Sequence, residues 1–485
     1  MKINVFAIAF VFTITTCSIS AQTFDISYNS PGTENFSGNV YLYLSKTERS
    51  PKSSMMGITT FPCISIAVRN IKPNQKVIFD DKAISFPVPI SDMERGEYYA
   101  QAVWDKNMGS RSIGDGVGNI YNTAVKVKLT QNRNESFSLI CDKVIDASPF
   151  NDTKWVKLVK VKSPLLSKFH NKPIELKAVI ILPEEYYTQN TRKFPVLYMV
   201  QGYGGDCERL SGYNKPSFRL DTTPVIRVVL DGACPLGHSV YANSDNNGPW
   251  GDALINEVIP AIEKQFRCNA ARLLNGHSSG GWTVLWLQTH YPKTFMACWS
   301  SSPDPVDFRN FLNVNLYEDK NMFYSKDSSL QPAATIAGYF PIISLKDTYG
   351  MEHVIDRGEQ MHSLDAVFSQ KEKDGSPRRV CDPITGEIDT VTVNHWKNYD
   401  ITRYLIDNWS KLKNDLGGKI RVTTGNSDNF LLNHAVHSMD SEMKKINATI
   451  EFEYFPGDHF TVNSLEYKKA GDNFLERKYN EFISQ

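Results

Sequence analysis

Neither sign of charge predominates in this 485-residue chain: Lys plus Arg and Asp plus Glu both number 53, so the formal net charge is zero. A nucleic-acid partner needs a basic excess to meet its phosphates, and none is expected here. Past the first twenty or so residues there is no apolar run approaching the ~20 residues that cross a bilayer core of ~30 Å, so no membrane span is expected either. Cysteines number eight and form no Cys-x-x-Cys pair, which removes the usual zinc spacings. His353, Asp356 and His362 also match no compact ligand spacing. No metal and no cofactor is expected, and no internal repeat or low-complexity segment stands out.

What the chain does have begins with Met1-Lys2, the apolar run Val5 to Ile14, and small residues up to Ala21. A charged start, an apolar centre and small residues at the cut are the build of a secretory signal, and about ten apolar residues are too few for an anchor. The expected signal covers 1–21 and the mature chain, starting near Gln22, is exported to a periplasmic or secreted destination. Lipid modification at Cys17 is a weaker alternative, since Ile14-Thr15-Thr16 lacks the small residue that such processing favours. Seven cysteines then remain, and a core of this size needs no disulfide staples.

Two domains are the natural division of such a length. Over 22–150, short strands such as Val40 to Leu44, Cys63 to Val68, Tyr98 to Trp104 and Phe137 to Cys141 are separated by turn residues. They predict an all-β, antiparallel sandwich of immunoglobulin-like type. Gly114 to Gly118 lies between strands and reads as a loop, not a phosphate cradle. Over 151–485 strands alternate with helices, which predicts an α/β domain with a largely parallel sheet. Its candidate strands are Ile174 to Leu182, Val196 to Gln201, Val225 to Asp231, Arg272 to Asn275, Phe295 to Ser300, Lys419 to Thr424 and Thr449 to Phe455. Residues from Pro303 to about Leu416 break the alternation and read as an inserted cap, about 303–416, that roofs a pocket.

The strongest chemical signal is Gly276-His277-Ser278-Ser279-Gly280-Gly281, between the apolar run ending at Leu274 and the apolar helical pattern Trp282, Val284, Leu285, Leu287. A serine on a sharp strand-to-helix turn is projected clear of the backbone, as a nucleophile must be, and the flanking glycines remove Cβ atoms that would collide there. Such a serine needs an imidazole to take its proton and an acid to orient that imidazole. In hydrolases of this architecture the chain order is serine, acid, histidine. His459, after Pro456-Gly457-Asp458, and Asp428, in the loop Gly425-Asn426-Ser427-Asp428-Asn429, occupy those places. An aspartate at 428 suits a helix N-cap equally well. Gln201-Gly202-Tyr203-Gly204-Gly205 follows an apolar strand, and the backbone amides of Tyr203 and Ser279 are the candidate oxyanion hole.

Together, Pro195 to Gly205, Val228-Val229-Leu230-Asp231-Gly232, Glu257-Val258-Ile259-Pro260 and Gly276 to Gly281 resemble the esterase D or enterochelin-esterase-like group of α/β hydrolases, which includes feruloyl and acetyl esterases. The resemblance spans roughly residues 170 to 480, interrupted by the insertion, and implies a triad of Ser278, Asp428 and His459. Gln201 stands where many relatives have histidine. The segment Gly237 to Ser244 resembles one that lines the pocket in relatives, so Tyr241 and Asn243 are candidates for substrate contact, with plain loop packing as the alternative. The expectation is an exported serine carboxylesterase acting through an acyl-enzyme on small-molecule or polysaccharide-linked acetyl or feruloyl esters. A glycan-binding protein with a scaffold hydrolase domain, and a serine peptidase, are the alternatives.

Overall fold

The computed structural model describes residues 22–484 apart from 30–33, 54–58, 107–110 and 133–134, so the expected signal and Cys17 lie outside the described residues. Eight strands make the main sheet, in the spatial order Val156–Lys162, Glu175–Ile181, Ile226–Leu230, Phe194–Val200, Cys268–His277, Ala297–Ser301, Ile420–Gly425 and Glu451–Phe455. Glu175–Ile181 runs antiparallel to both its neighbours, and the remaining pairs are parallel. Parallel strands are covered on both faces, which explains why Ile226–Leu230 and Ala297–Ser301 are buried at every residue. The edge strand Val156–Lys162 has no counterpart among the strands expected from sequence. Its Lys157, Lys160 and Lys162 dilute the apolar signal that marks the inner strands.

The helix Ser279–His290 is buried at all but its last residue and packs on the middle of the sheet. Between Ser301 and Ile420 the chain leaves the sheet and builds the hairpin Pro332–Ile336/Phe340–Ser344 and the helices Leu345–Ile355, Gln360–Phe368 and Thr390–Trp396. It returns through the helix Ile401–Leu416, which buries Ile401, Leu405, Trp409 and Leu416 and lies against Ser279–His290.

The N-terminal region forms two further sheets. Thr23–Tyr28 lies between Val77–Phe79 and Ser136–Cys141 in one, and Gly96–Asp105, Phe36–Ser45 and Cys63–Ile71 are the centre of the other. Pairing is antiparallel except for Thr23–Tyr28, which runs parallel to Ser136–Cys141. Phe24, Ile26, Leu42, Trp104 and Leu139 are among the buried side chains of their common core.

This region docks on the insertion. Tyr41, Tyr43, Cys63, Phe86 and Val103 pack against Met351, Val354 and Ile355 of the helix Leu345–Ile355. The Tyr41 hydroxyl donates to the Ile355 carbonyl at 2.7 Å. Beside them Arg357 donates from Nη2 and Nε to Asp105 Oδ2 at 2.6 and 2.9 Å, with both side chains buried. Among the described residues no helix is long and apolar enough to cross a membrane.

Candidate active site

Ser278 sits between the strand Cys268–His277 and the helix Ser279–His290 with φ 58° and ψ −125°, a conformation that costs an L-residue of order 1–3 kcal/mol. The turn closes so tightly that a Cβ at Gly276 would lie 2.0 Å from the Gly280 carbonyl oxygen, and one at Gly280 would lie 2.0 Å from that of Val200. Only glycine fits at either place. Ser278 N–H donates to the Ser301 carbonyl at 3.0 Å, which fixes the turn against the next strand.

Asp428 and His459 come from the loops after the last two strands of the sheet, both at its carboxyl edge. His459 Nδ1 is 2.7 Å from Asp428 Oδ2, and both residues are buried. The other oxygen, Oδ1, accepts from the backbone N–H of Phe430 at 2.9 Å, so the carboxylate is held at both ends. The cap that an aspartate could supply here and the partnership with histidine are thus made by different oxygens of one side chain. The His459 ring lies 4.5 Å from that of His277 and edge-on to Phe430, which brings the pair to the elbow. Burial depresses the His277 imidazole to about 3, leaving a neutral ring beside His459.

Gly202 approaches the elbow so closely that a Cβ there would lie 3.1 Å from Ser278 Cβ. The next residue is Tyr203. Ser279 opens its helix, so its N–H is one of the first-turn donors that have no acceptor within the helix.

Two neighbours of Ser278 went unrecognised in the sequence. Asp304, just past the strand Ala297–Ser301, places Oδ1 3.5 Å from Ser278 Oγ. Burial raises its carboxyl above the ordinary range, against the lowering effect of its hydrogen bonds. Gln360, at the start of the helix Gln360–Phe368, donates from Nε2 to Asp304 Oδ2 at 2.8 Å and to Ser279 Oγ at 3.2 Å. The only local hint was the position of Asp304 at the carboxyl end of a strand in an open parallel sheet, where ligands collect. Ser278, Asp304 and Gln360 border a cavity of about 120 Å³ whose remaining walls include Phe311, Leu312, Met361 and Leu364.

Tyr241 and Asn243, the candidates for substrate contact, are not among the residues that border this cavity. Tyr241 is a core residue: its ring packs edge-on to Trp250 and its hydroxyl donates to the Asp231 carbonyl at 2.8 Å. Asn243 Oδ1 accepts the N–H of Asp252 at 3.1 Å. A tyrosine in a loop that resembles a pocket lining satisfies its hydroxyl in the core instead, which residue type alone does not reveal.

Residues 173–464 match the family described as "Putative esterase". No curated protein matches the chain. Among solved structures, a ferulic acid esterase is similar at 14% identity and a TM-score of 0.38, over 68% of this chain and 100% of that one. The serine hydrolase FphF of Staphylococcus aureus is similar at 15% identity and 0.38, over 66% and 98%. An S-formylglutathione hydrolase from Agrobacterium tumefaciens is similar at 13% and 0.35, over 68% and 97%.

Proposed function

The chain belongs to this esterase family, and from that premise we propose that it hydrolyses carboxylic esters through Ser278, His459 and Asp428 by way of an acyl-enzyme. One observation carries the reading: a buried Asp428–His459 pair at 2.7 Å beside a serine held at positive φ. Asp428 accepts a hydrogen bond from Nδ1–H, which fixes the tautomer that leaves Nε2 free to take the proton of Ser278 Oγ. Oγ then bonds to the ester carbon, and the carbonyl oxygen takes the negative charge, which the amides of Tyr203 and Ser279 stabilise by roughly 3 kcal/mol each. Collapse breaks the bond to the alcohol oxygen, which leaves with the proton from His459. Water, deprotonated by the same imidazole, repeats the sequence on the acyl-enzyme and releases the acid.

The same proposal divides the chain into an exported β-domain of immunoglobulin-like type over 22–150 and a hydrolase domain over 151–485, with the insertion as a cap. What supports the cap is that Phe311, Leu312, Met361 and Leu364, all from the insertion, wall the cavity next to Ser278. The cavity also favours one acyl class. At about 120 Å³, near the ~150 Å³ that holds one benzene ring, it suits a small acyl group such as acetyl.

The test is the time course of alcohol release from 4-nitrophenyl acetate. A burst followed by a slower steady state is expected, with no release by Ser278→Ala; release at the wild-type rate by that variant would remove the serine from the mechanism.

A further inference from the structure

A carboxylate taken out of water is costly unless a cation or several donors compensate it. Asp105 has Arg357, and Asp365 has Arg379. Asp304 is 5% exposed and has no such partner: among the described residues no Lys or Arg forms an ion pair with it. His459, whose charge also bears on Asp304, must be neutral on arrival of a substrate if it is to take the serine proton. Of the two carboxyl oxygens, Oδ2 accepts from Gln360 Nε2 at 2.8 Å. Oδ1 faces the Ser278 hydroxyl at a long 3.5 Å and keeps acceptor capacity to spare.

Both ends of this arrangement are fixed. Asp304 N–H donates to the Ser278 carbonyl at 3.2 Å. Gln360 opens a helix whose next two N–H groups, of Met361 and His362, donate to the buried Glu352 carboxyl at 2.8 and 2.6 Å. The cavity of about 120 Å³ that Ser278, Asp304 and Gln360 border is otherwise walled mostly by apolar side chains. In such a pocket one acid sets the orientation and the chemistry of what enters. An uncharged ester such as 4-nitrophenyl acetate gains nothing from it, because the ionised carboxyl opposes the negative charge of attack. An acyl group with its own positive charge reverses that sign.

We propose that Asp304 determines acyl specificity, and that the acyl group is small and carries an α-ammonium group, as in glycyl and alanyl esters. The proposal rests on the ester-hydrolase reading and names the substrate class of that same site. Once Oγ has bonded to the carbonyl carbon, the α-substituent is three bonds from Oγ, and Oδ1 is within reach of both. The ammonium donates to Oδ1, supplies the missing counter-ion, and offsets the charge that the carboxylate sets against attack. The bond to the alcohol oxygen then breaks, the alcohol leaves with the proton held by His459, and water releases the free amino acid.

Benzyl esters of glycine, glycolic acid and propanoic acid test this, since their acyl groups match in heavy atoms and end in ammonium, hydroxyl and methyl. They are assayed at about pH 6.5, below the ~7.7 of an α-amino group. Release of benzyl alcohol gives kcat/KM for each, and division by the rate constant for hydrolysis by hydroxide removes the intrinsic reactivity of the ester. In the wild-type chain the corrected value for the glycyl ester is expected to exceed that for the propanoyl ester by about tenfold, the size of one charge-assisted hydrogen bond, with the glycolyl ester between them. Asp304→Asn is expected to lower the glycyl-to-propanoyl ratio about tenfold, and the wild-type comparison stands without that variant. If turnover depends on Ser278 but the corrected glycyl value is no higher than the propanoyl or the glycolyl one, Asp304 does not select a cation and the proposal alone falls. A ratio unchanged in folded Asp304→Asn overturns it as well. If no ester, 4-nitrophenyl acetate included, is turned over in a way that Ser278→Ala abolishes, the esterase reading falls and takes the proposal with it.

Discussion

In the proposed mechanism, a carboxyl group 3.5 Å from the Ser278 hydroxyl opposes the charge that builds on that oxygen during attack. Asp304 is kept there by burial, which raises its pKa and so favours the neutral acid. As pH rises and Asp304 ionises, kcat/KM is expected to decline. Asp304→Asn keeps an oxygen for Gln360 while removing the charge, so this decline should be absent from its pH–rate profile. A profile that does not move would show the carboxyl to be uncoupled from the reaction. Asp428→Asn addresses the opposite case, a charge the reaction needs. Its remaining oxygen still accepts from Phe430 N–H, so the melting temperature should barely change, while kcat falls by about 10⁴ from the wrong imidazole tautomer. The proximity of Asp428 and His459 was legible in the sequence because each occupies a short loop directly after a strand, where the path of the chain is set locally. Asp304 and Gln360 meet only because the insertion folds back over the sheet, and nothing in their own neighbourhoods encodes that.

The helix Gln360–Phe368 supplies one wall of the pocket and carries a second perturbed acid. Asp365 is fully buried, accepts the N–H of Val380 at 2.9 Å, and faces the Arg379 guanidinium at 3.5 Å. Burial outweighs these partners and pushes its carboxyl up to about 6. Between about pH 4 and 6 the folded state therefore binds more protons at Asp365 than the unfolded state, so stability falls as pH rises through that window, by about 3 kcal/mol in all. Denaturant titrations at pH 4, 5, 6 and 7 should show this decline, and Asp365→Asn should remove its share of it. On the proposed function the same helix, through Leu364, also limits the acyl group. Leu364→Ala should raise the turnover of butanoyl relative to acetyl esters of 4-nitrophenol, and an unchanged preference would mean that the acyl chain lies elsewhere. Elements of this kind are harder to read than the elbow. The strands expected at Val196, Val225 and Arg272 are all present because buried parallel strands are continuous apolar runs. Val156–Lys162 escaped notice because, as an edge strand, it alternates lysines with valines.

At the scale of the whole molecule the N-terminal region is fastened to the insertion by a buried ion pair, Arg357–Asp105, set within an apolar contact. Arg357→Ala takes two charge-assisted hydrogen bonds from a buried carboxylate, so it should cost about 3 kcal/mol of unfolding free energy, whereas a double change to apolar residues should cost less. Unfolding curves of the single and double variants measure the difference. Two regions with separate cores could be told apart in the sequence by their periodicities, but not which face of one meets which element of the other. The contact depends on a guanidinium and a carboxylate 252 positions apart.

That separation sets a timetable for biosynthesis. At the ~5–20 residues per second of translation, Asp105 leaves the ribosome about 10–50 s before Arg357 exists. For that interval the nascent β layers carry an acid whose counter-ion has not been made, and they must hold together on their own aromatic interior or in the care of a chaperone until the later half arrives.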